Sequence, residues 1–299
     1  MSDPPTLVPT LPGSFDGFRL EPDPEQQRAD VILDRPPLNI VTMAEREQLR
    51  AVFEALDADA RIRVVVLRAA GEHFSSGGEI SGFLDASPEH LSRLAWNIAA
   101  PARCRKPVIA ASRGYCFGVG FELALACDFR IVSETCLYSL PEQRLGQIPG
   151  SGGAARLQKM IGVTRAKDIV MRSRRIPGRQ AHEWGIATEC AADPELEAAT
   201  DRLVEELRGF SPLAQRTAKK LLNDIEDANL SLAIELEGQA YGRLRCSTIA
   251  GPCPRLCRHS SSGAQAVGTA SDASSDWHGL DHTWTGVCGN DACQLKACL

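Results

Sequence analysis

The chain has 299 residues, 43% of them hydrophobic and 24% charged, which suits one large domain or two small ones with ample core. A formal net charge of −5 gives no electrostatic basis for binding nucleic acid or an anionic membrane surface. No apolar run approaches the roughly 20 residues needed to span a bilayer, and residues 1–17 lack the basic start and apolar stretch of a signal peptide, so the cytosol is the expected location.

In chain order, residues 18–20 and 31–33 read as short strands, and 34–39 as the Pro-containing loop that leaves the second. Thr42 can cap a helix over 43–56, whose Leu49, Val52, Phe53 and Leu56 recur at helical spacing. Residues 62–68 form a β-branched strand with the continuous apolar character of one buried on both faces. After a loop at 71–78 comes a helix over 88–99, phased by Leu91, Leu94, Trp96 and Ile98. A strand at 107–111, a very apolar helix at 117–126 and a strand at 129–132 follow. From Ser151 onward helices dominate, at about 152–161, 164–171, 178–183, 193–209, 213–225 and 230–244. Strand–helix alternation followed by helices predicts an α/β core with a helical C-terminal region. The charges on 193–209 and 213–225 read as a solvated face.

Texture changes at residue 245. The last 54 residues hold seven serines, six glycines and six of the eleven cysteines, with no Glu, Phe or Tyr and no periodicity, so no secondary structure is expected there. Cys253, Cys257, His278, His282, Cys288, Cys293 and Cys298 are potential metal ligands, but none of the cysteines form a Cys-x-x-Cys pair. The other five cysteines lie in apolar surroundings and read as buried thiols.

Three segments carry chemistry. Ser76, Gly77, Gly78, Glu79 and Ile80 follow a strand and loop, where paired glycines expose backbone N–H groups to an oxyanion or phosphate, or simply make a tight turn. Gly118-Val119-Gly120 opens the apolar helix, so free N–H groups leave its first turn; the alternative is close helix–strand packing, and a dinucleotide fingerprint is weak because Leu123 stands where a third glycine belongs. Glu122, inside Phe121-Glu122-Leu123-Ala124, is an ionisable group in an apolar run and needs partners or a task. Glu142 precedes a glycine-rich turn that includes Gly150; by itself it reads as a solvated loop residue. Two carboxylates can divide acid and base duties across a substrate, and glycine-framed amides can hold an acyl oxygen.

With these motifs in this order, residues 28–245 resemble the enoyl-CoA hydratase/isomerase (crotonase) superfamily, through the 35–39 loop, the 74–80 turn, and the segments 107–128 and 141–157. The resemblance implies a ClpP/crotonase-like α/β spiral of repeated β-β-α units with a helical C-terminal trimerisation region. It divides the chain into a flexible N-terminus (1–17), a core (18–190), a helical region (191–245) and an atypical tail (246–299) expected to be disordered. It implies Glu122 and Glu142 as the catalytic pair and the N–H groups of Gly78 and Val119 as the oxyanion hole. Ser76, Gly77, Glu79, Ile80, Gly118, Gly120 and Gly150 are expected around the substrate. The family's Gly-Gly-Gly is here Gly118-Val119-Gly120, and its Asp is replaced by Glu79.

Keeping both glutamates implies hydration of a 2-enoyl-CoA thioester, with no metal or redox cofactor and with coenzyme A as part of the substrate. Pro36-Pro37-Leu38-Asn39-Ile40 resembles the loop of hydratases acting on cyclic dienoyl thioesters, a hint of an alicyclic acyl group. Homotrimers paired into hexamers are implied as well. Enoyl isomerisation, hydrolysis of a cyclic keto thioester and a non-catalytic protein impaired by its tail are the competing readings. A serine peptidase is remote, because no motif places a histidine as base for Ser75 or Ser76. The family's closing helix is not matched beyond Arg245. Because 253–257 can be encoded so that a shifted frame reads Val-His-Ala-Phe-Val, residues 246–299 are read as a frameshifted translation.

Overall fold

The computed structural model describes residues 14–81 and 87–246, all within one compact unit. Most of the expected flexible N-terminus, and the tail from residue 247 with its cysteines and histidines, lie outside the described residues.

A six-stranded sheet runs in the order β1 (Phe18–Asp23), β2 (Arg28–Leu33), β3 (Val64–Ala69), β4 (Val108–Ser112), β6 (Phe129–Ser133), β9 (Glu189–Ala191). The β1–β2 pair is antiparallel and every other pair is parallel. A second sheet orders β5 (Tyr115–Phe117), β7 (Leu137–Ser139) and β8 (Ile176–Pro177). The helices are α1 (Met43–Ala58), α2 (Pro88–Ile98), α3 (Ala100–Arg103), α4 (Val119–Ala126), α5 (Gly153–Met171), α6 (Gly178–Glu183), α7 (Leu196–Arg208), α8 (Pro212–Asp224) and α9 (Leu230–Cys246).

The strands β3, β4 and β6 each lead into the second layer and then into a helix. After β4 comes β5 and then α4, and after β6 comes β7 and a 3-10 turn, Pro141–Leu145, before α5. After β3 the chain meets β5 through one isolated bridge, Ser75 to Cys116, before α2. This is the repeated β-β-α spiral, with the helical α7–α9 region behind it.

Period-two burial explains the layering. Val65, Leu67, Ala110 and Val132 face α1 and α4 and join Leu49, Phe53 and Leu123 in the main core. Their neighbours Val64, Val66, Ile109 and Ile131 face the other way, against Ala199, Val204 and Leu207 of α7. Each such side chain stabilises the fold by roughly 1.5–3 kcal/mol on full burial. Thr42 caps α1 as expected, and Glu45 completes a capping box by reaching back to the Thr42 N–H. Four of the five cysteines are buried, and Cys190 is half-buried.

Several expected elements shift. The apolar helix begins at Val119, not 117, because Gly118 sits at φ 50°, ψ −125°, a conformation that favours glycine, and Tyr115–Phe117 pair with β7 instead. The two helices expected at 152–161 and 164–171, by contrast, are both present within α5, parted at Gly162, whose φ of 78° and ψ of 162° are not helical. Trp96 is not in the core: it is 58% exposed, and the Arg103 guanidinium covers its ring at 3.5 Å. Among the described residues no helix is long and apolar enough to cross a membrane.

Candidate active site

The 35–39 loop fixes the first glycine turn. The Asn39 amide donates to the carbonyls of Ala70 (3.0 Å) and His73 (2.7 Å), while its oxygen accepts from the Arg35 N–H at 2.8 Å. Val41 then bridges the turn: its N–H donates to Gly77 at 3.0 Å and its carbonyl accepts from the Glu79 N–H at 3.0 Å. The Gly78 N–H between those two bonds is therefore directed away from Val41. The Ser75 hydroxyl accepts the Gly77 N–H at 3.1 Å, which closes the turn.

The second turn meets the first. The Gly118 N–H is taken by the Ser139 carbonyl at 3.0 Å, and the Gly118 carbonyl accepts the Glu122 N–H at 2.9 Å. Val119 is the first residue of α4, so its N–H has no carbonyl four residues back within the helix. A methyl group placed on Gly78 would lie 3.5 Å from Val119 Cγ1, and one on Gly118 would lie 3.7 Å from Gly77 Cα. One on Gly120 would lie 2.6 Å from Ser75 Cβ, so the close approach of the two turns requires glycine there. Phe121 stacks on Tyr138 at 4.2 Å and seats α4 on β7.

Glu122 is buried, and its Oε1 accepts the N–H groups of Ser151 (2.7 Å) and Gly153 (3.0 Å), just ahead of α5. Gly153 leaves room for this clasp: a methyl there would lie 3.0 Å from Glu122 Cγ. Burial pushes the Glu122 carboxyl above the usual range, opposed by the two N–H groups and the charge of Arg46. Glu142 lies in the 3-10 turn, half-buried rather than solvated, with Oε1 3.1 Å from where a Gly118 methyl would stand. Its Oε2 is buried and accepts no hydrogen bond from the described residues. Burial pushes this carboxyl up to about 7, with the charge of Glu122 adding to the rise.

Gly78, Val119 and Glu142 thus come together, with Gly77, Gly118 and Gly120 forming the packed backbone around them; Glu122 is anchored one turn into the same helix. Ser76 is half-buried and donates its N–H to Leu38 at 2.8 Å. Glu79 is half-buried and accepts from the Ser81 hydroxyl at 3.1 Å; Ile80 and Gly150 are exposed.

The chain has counterparts among known proteins. Residues 25–247 match the family described as enoyl-CoA hydratase/isomerase. The chain belongs to the enoyl-CoA hydratase/isomerase family. It is 31% identical over 211 residues to carnitinyl-CoA dehydratase of Proteus mirabilis, spanning 69% of this chain and 81% of that protein. Enoyl-CoA hydratase from Bacillus anthracis superposes with a TM-score of 0.73 at 29% identity, covering 82% of this chain and 95% of that one. A Thermobifida fusca protein solved in complex with CoA superposes with a TM-score of 0.70 at 28% identity, with the same coverage of 82% and 95%.

Two features of this family member's site do not follow from the sequence motifs. The glycine turn at 150–153 reads as a loop, whereas its N–H groups at Ser151 and Gly153 are the clasp for Glu122. Arg46 is buried beside Gly78. Its signal was present: Arg46 lies three residues before Leu49 and seven before Phe53, so it falls on the apolar stripe of α1.

Proposed function

We propose that this protein adds water across the 2,3 double bond of a 2-enoyl-CoA thioester. The supporting observation is the unlike environment of the two carboxylates beside one pair of backbone donors. The Glu122 carboxyl is raised by burial but clasped by two N–H groups that oppose that rise and favour its ionised form. Glu142 keeps a buried, unbonded oxygen and a proton affinity near neutrality.

In this reading the N–H groups of Gly78 and Val119 donate to the thioester carbonyl oxygen. Ionised Glu122 takes a proton from water as the water oxygen bonds to C3, and the C2=C3 pair moves toward the carbonyl to give an enolate. Protonated Glu142 delivers its proton to C2. The cycle leaves Glu122 protonated and Glu142 ionised, and returning one proton from Glu122 to Glu142 restores the start. The enolate negative charge develops on the oxygen held by the two amides, a donor of this kind being worth about 3–4 kcal/mol in the transition state. Dehydration is the same path reversed, so hydratase and dehydratase names among relatives describe one chemistry.

The test is loss of the conjugated enoyl-thioester absorbance with crotonyl-CoA and with a cyclohexadienoyl-CoA. Glu142→Gln is expected to slow hydration about 10²–10⁴-fold, as loss of a proton donor does. The faster of the two thioesters reports whether the acyl group is linear or alicyclic. A shifted double bond without hydration would replace this reading with isomerisation, and free CoA would replace it with hydrolysis.

We further propose that copies of the chain assemble into a trimer-based oligomer, of which α9 forms a contact. Leu230, Leu232, Ile234 and Tyr241 are exposed along α9, and of its side chains described only Ala240 is buried. A native mass of three or six chains supports this, and a monomer at micromolar concentration excludes it.

A further inference from the structure

Among the described residues, the strongly buried cation at this site belongs to α1, an element to which the hydration chemistry assigns no group. Arg46 is 3% exposed, and the helix that carries it starts two residues after Val41, the residue bridged to Gly78. The guanidinium therefore reaches the glycine turn from behind: a methyl group at Gly78 would collide with Arg46 Nη2. A bulky, rotamer-rich charged side chain in the apolar stripe of a core helix loses both hydration and conformational freedom, and an apolar residue of similar length would fill the space without that loss. The negative charges of Glu122 and Glu45 favour the guanidinium against burial.

We propose that Arg46 is a positioning residue for hydration: its guanidinium supports the Gly78 turn and supplies positive charge facing Glu122. The assignment rests on the hydratase reading for its kinetic consequence, but not for its electrostatic one. The charged groups facing Glu122 are Arg46 from α1, Arg156 from α5 and Glu142 from the 3-10 turn. Arg156 donates to the Ser151 carbonyl at 3.3 Å, on the clasp side of the carboxylate. Removing Arg46 leaves Arg156 as the remaining cation and Glu142 as the opposing charge, so Glu122 holds its proton to a higher pH. A carboxylate that must be ionised to accept a proton from water then becomes active only at higher pH.

The experiment compares wild type, Arg46→Met and Arg46→Lys by kcat and KM from pH 5 to 9. Arg46→Met is expected to move the acid limb of kcat upward by about one unit, a tenfold loss on the acid side with KM little changed, and Arg46→Lys to restore most of it. A direct titration of Glu122 by carbon-13 NMR of glutamate-labelled protein, assigned against Glu122→Gln, is expected to show the same upward shift without any turnover. If Arg46→Met does not fold, Arg46→Gln takes its place. An unchanged Glu122 titration, or a loss of activity that is equal at every pH and follows a fall in Tm, would overturn the proposal. A wild type that hydrates no enoyl thioester defeats the functional reading alone, because the NMR titration still decides the role of Arg46.

Discussion

At the scale of single residues, the site is a problem of fitting two carboxylates against a backbone with no spare volume. Gly118 shows the constraint most clearly, since it combines a positive φ with Glu142 Oε1 lying 3.1 Å from where a methyl would stand. Gly118→Ala is expected to cost about 1–3 kcal/mol in strain and to lower kcat by displacing Glu142, measured by urea unfolding and steady-state kinetics together. The proton inventory gives a second expectation. In the proposed reaction Glu142 must be protonated to act as the acid, and burial raises it to about 7, so hydration should fall as pH rises past neutrality. It should also fall toward acid pH as Glu122 gains a proton, giving a bell whose two limbs belong to the coupled pair. Glu122 was legible in the sequence because a carboxylate in an apolar run demands an explanation. Glu142 was legible only through its company, since its burial comes from the turn around it and not from its own neighbours.

At the scale of elements, α1 carries more of the site than its amphipathic pattern suggests. Its start fixes Val41 against the Gly78 turn, and the Thr42–Glu45 capping box fixes that start. Thr42→Ala is expected to lower stability by about 1 kcal/mol, as loss of an N-cap does, read by thermal unfolding. Burial pushes the Glu45 carboxyl up to about 7, above its value in the unfolded chain, so the folded state holds the extra proton between those two values. The stability of wild type relative to Glu45→Gln should therefore decline as pH rises from the ordinary carboxylate range through about 7. The long helices were legible because each repeats its apolar face several times. Strands β5, β7, β8 and β9 were not, because two or three residues are too short for alternation to register. The early start assigned to α4 has the same origin: Tyr115–Phe117 are apolar enough to extend a helix, and only their pairing with β7 decides otherwise.

At the scale of the whole molecule, α8 and α9 lie outside the main core, and no side chain of α8 is buried. Ile234→Asp on the exposed face of α9 is expected to shift the native mass toward the monomer, checked by light scattering, while leaving the fold of the core intact. The α/β pattern was legible in the residues themselves, whereas the spiral of repeated units came only through the family resemblance, because one unit meets the second sheet through the isolated Ser75–Cys116 bridge alone. That repeat bears on how the protein comes into being. One proposed oxyanion donor, Gly78, belongs to the unit that follows β3; the other proposed donor, Val119, and Glu122 belong to the unit after β4; Glu142 belongs to the unit after β6. No unit holds the whole proposed set, and the units are aligned in large part by parallel pairing between strands distant in sequence, which is slow to form. Refolding from denaturant should therefore regain helical signal first and enzymatic competence last, with the turnover assay timing the final registration of the sheet.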